Sequence, residues 1–398
     1  MPNTNAVHIT GARTRVFGLC SEEYVVKAIA VFPESREIKY IEHPEPQITQ
    51  PQQVKLKILD VGICGTDRHI CAFNFGEQPS ASNYLIPGHE ALAEVIEIGS
   101  AVAGLQVGDL VVPEVRRPCL DSTCRACQAG QQDYCYTGTY SERGIQGLHG
   151  YMTEMVVEES TRHLHYVPPQ LREIAVLTEP LTIAEKAYAQ IVQIQQRLPW
   201  FPQALTDQQP GRGLKALVLG AGPIGLLGAM LFISKGFETI IYSRSPIPNE
   251  KATLAQEIGA TYISSMETRP EVLARQYGPI DVVYEAVDAA AIAIEILQYL
   301  NRNAIYLFTS PATPEEPFGI DASQALRTLT MRNQVIVGTV NAGPATFTAA
   351  IEDLALFQQR WPHTLSALIT ERVPLTQALT LLTQKRPGIK YVVNPARS

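Results

Sequence analysis

A glycine-rich turn set between an apolar strand and a helix constrains this chain more than any other feature. The run Ala216-Leu217-Val218-Leu219 enters Gly220-Ala221-Gly222-Pro223-Ile224-Gly225, and residues 226–236 continue with helical character. That order puts free N–H groups and the positive end of a helix dipole where a pyrophosphate can sit. Gly220 permits the tight turn, Gly222 lets the backbone approach phosphate and Gly225 lets helix and strand pack closely; Pro223 and Ile224 complete the expected cofactor-binding turn. Short apolar runs at 214–220, 238–243, 261–265, 280–287, 303–310 and 333–340 alternate with helical stretches, which predicts a parallel α/β sheet covered on both faces.

A site reserved for NAD usually carries a carboxylate about 20 residues beyond the first glycine, at the end of the second strand. Here that stretch reads Ile240-Ile241-Tyr242-Ser243-Arg244-Ser245. Arg244 is suited to clamp a 2′-phosphate and Ser243 to donate a hydrogen bond, so NADP is expected in preference to NAD. The alternative is that Arg244 is a solvated charge and both cofactors are accepted.

The segment before this turn has a different rhythm. Runs at 25–32, 37–43, 53–64, 91–102 and 110–115 read as short strands of an antiparallel, barrel-like β region. Residues 171–196 show apolar spacing of a helical connection, and 197–213, rich in Pro, Gln and Gly, reads as a surface loop. Residues 1–26 form an expected N-terminal extension without a clean apolar block or cleavage site, so export is not expected. No apolar stretch is long enough to span a membrane, since even 216–233 carries four glycines and a proline. The formal charge of −7, with no long basic run, argues against nucleic acid as a partner and favours a small molecule.

Two groups of residues have metal-binding chemistry. Four of the seven cysteines, Cys119, Cys124, Cys127 and Cys135, fall within seventeen residues, a crowding that suggests a metal rather than disulfides in a cytoplasmic protein. Cys64, with Thr66, Asp67 and His69 just after it, lies 25 residues before His89 and Glu90. A thiolate, an imidazole and carboxylates from separate segments are a set that leaves zinc an open position. Spacing alone does not establish that site, because a single His or Cys before an apolar strand is also a common core residue.

The strings GICGTDRH, PGHEALAEVIEIGSAVAGLQVGDLVV, the cysteine group, TEPL and GAGPIG occur in an order that resembles the zinc-dependent medium-chain dehydrogenases. GIQGLHGYMTE, AVLTEPLTIAEKA, VGTVNAGPATF and PGIKYVV look most like the archaeal-type glucose 1-dehydrogenases within them. The resemblance implies an α/β protein: a GroES-like, partly open β-barrel catalytic domain (27–185 and 341–398) and a Rossmann doubly wound parallel-sheet domain (186–340). It implies Cys64 and His89 as zinc ligands, Glu179 completing the set directly or through water, and Glu90 exchanging with it. By the same match Thr66 bonds the reacting hydroxyl, Asp67 orients His89, and His69 holds a proton-relay position or else shapes the surface; the proton leaves through Thr66 and His69 or through Glu90 and a bound water. Glu142 and Asn341 would bind sugar hydroxyls, Asn341 also lying by the cofactor, unless Glu142 is a solvated loop carboxylate and Asn341 a turn former.

The family spacing of the cysteine group is C-x2-C-x2-C-x7-C, whereas here Cys119 sits two positions early and Asp121 takes its place. Either Cys119 still reaches a structural zinc, or Asp121 substitutes, or the site is empty. A family aspartate after the TEP segment appears as Ile183, so glucose selectivity is open to other aldoses. The leading expectation is a cytoplasmic, NADP-preferring zinc enzyme that oxidises an aldose at C1 to the lactone. The alternatives are a polyol or secondary-alcohol dehydrogenase and a non-catalytic zinc and nucleotide-binding protein. A homodimer or homotetramer is what the resemblance implies.

Overall fold

The computed structural model describes residues 24–201, 209–310 and 319–397. Most of the 1–26 extension, with Cys20, and residues 202–208 of the expected loop lie outside the described residues. The first part supplies strands β1 (Val25–Phe32), β2 (Glu37–Pro44), β3 (Val54–Gly62), β4 (Glu90–Ile98), β5 (Leu110–Pro113), β6 (Arg116–Arg117), β7 (Ser141–Arg143), β8 (Gly147–Leu148), β9 (Met155–Glu158) and β10 (Leu164–Val167). The second part supplies β11 (Lys215–Leu219), β12 (Glu238–Ser243), β13 (Thr261–Ser264), β14 (Ile280–Glu285), β15 (Leu300–Phe308) and β16 (Val335–Gly338), and the chain closes with β17 (Ile369–Pro374) and β18 (Lys390–Asn394).

The main sheet of the first part runs β10-β5-β4-β3-β18-β17, with β9 also on β3. β3 is the centre: β4 flanks one edge, β9 and β18 share the other, and its side chains are buried on both faces. β18 lies antiparallel to β3 with Val392 opposite Gly62, so residues more than 300 positions apart become neighbours. The parallel sheet runs β13-β12-β11-β14-β15-β16. Its order reverses between β12 and β14 around β11, and the carboxyl ends of β11 and β14 are where such a sheet opens a ligand crevice. The expected strands therefore all appear, with ends moved by a few residues.

The helical connection differs from the expectation. Residues 169–171 and 175–177 form short 3-10 turns, and the α-helix runs only from Thr178 to Gln195. Pro180 is the reason: it has no N–H, so it fits the first turn of a helix and would break an i→i−4 bond in its interior. This helix packs on the Pro344–Arg360 helix and on the Pro223–Ser234 helix, in a core that also takes in Leu92, Val112 and Val167 of the β region. Among the described residues no helix is long and apolar enough to cross a membrane.

Candidate active site and cysteine cluster

Cys64, His89 and Glu90 come together because β3 and β4 are antiparallel neighbours with Gly62 opposite Glu90. One ligand atom from each of the three lies within 4.8 Å of the others. Gly62 has to lack a side chain, since a Cβ there would sit 2.1 Å from Glu90 Oε2. Cys64, two residues past the end of β3, caps the Gly65–Cys71 helix, and Asp67, in the first turn of that helix, folds back. Its Oδ2 accepts from the Cys64 N–H (2.8 Å), its Oδ1 from the Gly88 N–H (3.1 Å), and Oδ1 lies 3.4 Å from His89 Nδ1. One fully buried carboxylate thus ties the Cys64 segment to the His89 segment.

Neighbouring charges act on the buried groups of this cluster. Burial pulls His89 down, but the Asp67 carboxylate outweighs it and holds His89 well above the usual imidazole range. Burial lifts Glu179 to about 7, against the pull of His89 and with the Glu90 carboxylate adding to the rise. Glu179, in the first turn of the Thr178–Gln195 helix, is buried nearby, but it is outside the compact three-residue set. The resemblance implies Glu179 completing the set directly or through water and Glu90 beside the metal, exchanging with it; the compact set here contains Glu90.

Lys390 is the residue that sequence reasoning missed. It opens β18, is buried, and donates from Nζ to Glu90 Oε2 and to the Ile63 carbonyl (3.2 Å). The signal was a lysine inside the otherwise apolar run Ile389 to Val393. With Oε2 engaged, Glu90 Oε1 is left buried without a hydrogen-bond partner. Sulfur, imidazole and a free carboxylate oxygen at this spacing fit zinc.

Thr66 is partly buried, its Oγ1 3.9 Å from Cys64 Sγ, and His69 is exposed. Glu142 is buried: Oε1 accepts from Arg116 Nε (3.0 Å) and from Asn341 Nδ2 (2.7 Å). The two residues expected to share a cleft are therefore bonded to each other across 199 positions. Asn341 also holds the left-handed conformation of a turn former (φ 61°), so its two readings are compatible. Gly144, two residues past Glu142, lies directly on the Gly88 backbone, beside His89.

At the glycine turn Gly220 has φ +99°, and a Cβ on Gly225 would sit 2.1 Å from the Gly220 carbonyl oxygen. A Cβ on Gly222 would meet nothing within 4 Å, so that side of the turn is open. Pro223 starts the helix and Ile224 packs partly against the core. Ser243 ends β12, and Arg244 is exposed with no side-chain partner among the described residues.

Cys119, Cys124, Cys127 and Cys135 form the second group, with ligand atoms within 4.8 Å of one another. Backbone N–H groups of Cys127 and Tyr136 lower the Cys124 thiol to about 6, whereas burial lifts Cys127 to about 12. The longer first loop brings Cys119 into the group. Asp121 is exposed and bonds the Thr123 N–H and hydroxyl (both 2.7 Å) instead.

Residues 172–394 match the family model of the glucose dehydrogenase C-terminus, and residues 50–169 match that of the alcohol dehydrogenase GroES-like domain. The chain belongs to the glucose dehydrogenase family. A glucose 1-dehydrogenase of Methanocella arvoryzae is 35% identical over 371 residues, which span 92% of this chain and 99% of the relative. One from Thermoproteus tenax is 37% identical, over 91% of this chain and 96% of its own. Among solved structures, Haloferax mediterranei glucose dehydrogenase in complex with NADP, Zn and gluconolactone superposes with a TM-score of 0.82 at 30% identity, over 94% of this chain and all of that one. The fold is that of the zinc-dependent medium-chain dehydrogenases, as the sequence strings implied.

Proposed function

We propose that this protein oxidises an aldose, D-glucose foremost, at C1 to the lactone, with hydride transfer to NADP in preference to NAD. The observation that carries this reading is the meeting of Cys64, His89 and the unpartnered Glu90 Oε1 beside the segment that bears Glu142. The relative solved with NADP, Zn and gluconolactone supports it. Cys64, His89 and Glu90 would hold zinc, with Glu179 close enough to enter the set. When bound, zinc makes a neighbouring hydroxyl acidic and NADP accepts the hydride.

The chain's own residues do the rest. Asp67 fixes Cys64 and His89 in place, and Lys390 holds one oxygen of Glu90 so that the other is presented. Thr66 Oγ1 accepts the proton of the sugar hydroxyl as it gives up its own towards the exposed His69, one helical turn on, which releases it to water. Glu90 is sealed at 1% exposure, which favours this route over one through its carboxylate. Glu142 and Asn341 bind sugar hydroxyls: among the described residues Glu142 Oε2 has no hydrogen-bond partner, and Asn341 keeps a second N–H. Ile183 offers no hydrogen bond, so other aldoses such as galactose or xylose are expected to be oxidised too.

Arg244, exposed, without a side-chain partner among the described residues and one residue past β12, supports the preference for a 2′-phosphate. The four cysteines would hold a second, structural zinc, which would stabilise their loop. A homo-oligomer is supported by the outer edge of β16, which pairs with no strand among the described residues, and by the adjoining Ala322–Met331 helix. That helix buries no residue and exposes Leu326 and Met331, a surface suited to a second copy. The test is a matrix of sugars and alcohols against NADP and NAD on zinc-replete protein. Glucose oxidation with NADP is expected; turnover of sorbitol or a simple alcohol with glucose inert would reject the reading.

A further inference from the structure

Lys186 is a buried cation that the proposed chemistry does not use. It sits two helical turns after Glu179 on the Thr178–Gln195 helix. Its Nζ lies 2.8 Å from Asp133 Oδ2, donates to the Val340 carbonyl oxygen at 2.8 Å and stands 4.2 Å over the Tyr134 ring. One turn further on, Gln190 Nε2 donates to the Tyr134 hydroxyl (2.5 Å). The helix therefore grips the Gln132–Tyr134 turn twice, directly before Cys135.

The same turn reaches the proposed sugar residues by two paths. Arg116 donates from Nη1 to the Asp133 carbonyl (3.2 Å) and from Nε to Glu142 Oε1, and Glu142 Oε1 accepts from Asn341. Lys186 holds Val340, the residue before Asn341. Gly343 lies so close to Asp133 that a Cβ on it would be 2.8 Å from Oδ1. Residues 340–343 are thus seated on a closed circuit of Lys186, Asp133, Arg116 and Glu142, all of them buried.

We propose that Lys186 and Asp133 form a positioning pair that seats residues 340–343 so that Asn341 meets Glu142, which makes the cysteine lobe a determinant of sugar affinity. The inference deepens the proposed function and rests on Glu142 and Asn341 binding the sugar. Neither member of the pair need touch the substrate: they act through the backbone of residue 340 and the turn at 343. A loss of positioned ground-state binding raises KM while kcat holds.

The test uses full-length, zinc-loaded protein and titrates glucose at saturating NADP. Lys186→Met is expected to raise the glucose KM about tenfold, with kcat and the NADP KM within about twofold. Because Lys186→Met strands a buried carboxylate, the pair variant Lys186→Met/Asp133→Asn, which removes both charges, is measured beside it. Lys186→Arg, whose fork can serve both acceptors, should restore most of the affinity. If Lys186 acts through Asn341, Lys186→Met/Asn341→Ala has the KM of Asn341→Ala alone, a non-additivity that a purely structural role would not produce. Additive effects, or an unchanged glucose KM in the folded pair variant while Glu142→Gln and Asn341→Ala raise it, would overturn the inference and leave the sugar site standing. An unchanged KM in Glu142→Gln and Asn341→Ala would overturn both.

Discussion

Asp67→Asn separates the positioning of the metal ligands from their identity. The carboxylate is fully buried and serves three groups: the Cys64 N–H at 2.8 Å, the Gly88 N–H at 3.1 Å and His89 Nδ1 at 3.4 Å. Asparagine has the same shape but only one acceptor oxygen. With that oxygen toward Gly88 and His89, its NH2 faces the Cys64 N–H, donor against donor. Flipped, it keeps the Cys64 bond and sets its NH2 against the Gly88 N–H and His89. Either way at least one buried N–H loses its acceptor, a cost of about 1–3 kcal/mol.

Both stranded segments carry ligands, so this cost appears in zinc affinity. At about 1.4 kcal/mol per factor of ten it corresponds to a loss of roughly 5- to 150-fold, which spans the range typical when the partner of a metal-binding histidine is removed. Competition with a chromogenic chelator measures the affinity, and kcat at saturating zinc reports whether the ligands recover their places. An affinity within about twofold of the parent, with an unchanged melting temperature, would refute the argument that Asp67 organises the cluster.

Three further outcomes are expected. Burial, then the Asp353 carboxylate, lifts Glu185 to about 9 from an ordinary value near 4.5. The folded state then holds one more proton than the unfolded state between those values, so stability falls as pH rises across that window, at most by about 1.4 kcal/mol per pH unit. Denaturant titrations from pH 5 to 9 should show a flatter dependence for Glu185→Gln, and an unchanged slope would remove the assignment. Arg244→Ala should weaken NADP by about ten-fold or more while NAD is little affected, as follows from deleting a charged phosphate contact; equal loss for both cofactors would mean that Arg244 does not read the 2′-phosphate. Cys119→Ser should lower the zinc content from two per chain toward one and reduce the melting temperature, with the remaining zinc still supporting glucose turnover; full zinc content would show that Asp121 or another group completes the lobe.

Much of the fold is legible in short windows of sequence. The runs at 25–32 and 238–243 have the bounds of β1 and β12 to the residue, because apolar spacing and flanking turn residues act locally. The helix start was harder: apolar spacing continues through 171–177, and only the missing N–H of Pro180 stops an α-helix from including it. At the site, ligand types were visible, but their ranking was not. Glu90 joined the compact set ahead of Glu179 because of Gly62 and of Lys390, which lies 300 positions from Glu90 in the chain.

The sequence by itself determined which chemistry is present: a turn that fits a pyrophosphate, four clustered thiols, a thiol and an imidazole near carboxylates, and an arginine where an acid is usual. These follow from residue type and near-neighbour spacing, which a linear reading preserves. Tertiary structure alone decided which charges meet. Lys390 with Glu90, Asn341 with Glu142 and Lys186 with Asp133 are each brought together by strand pairing or helix docking. Burial then gives those meetings their strength, since a charge removed from water is held by its few partners and no pattern along the chain encodes who they are.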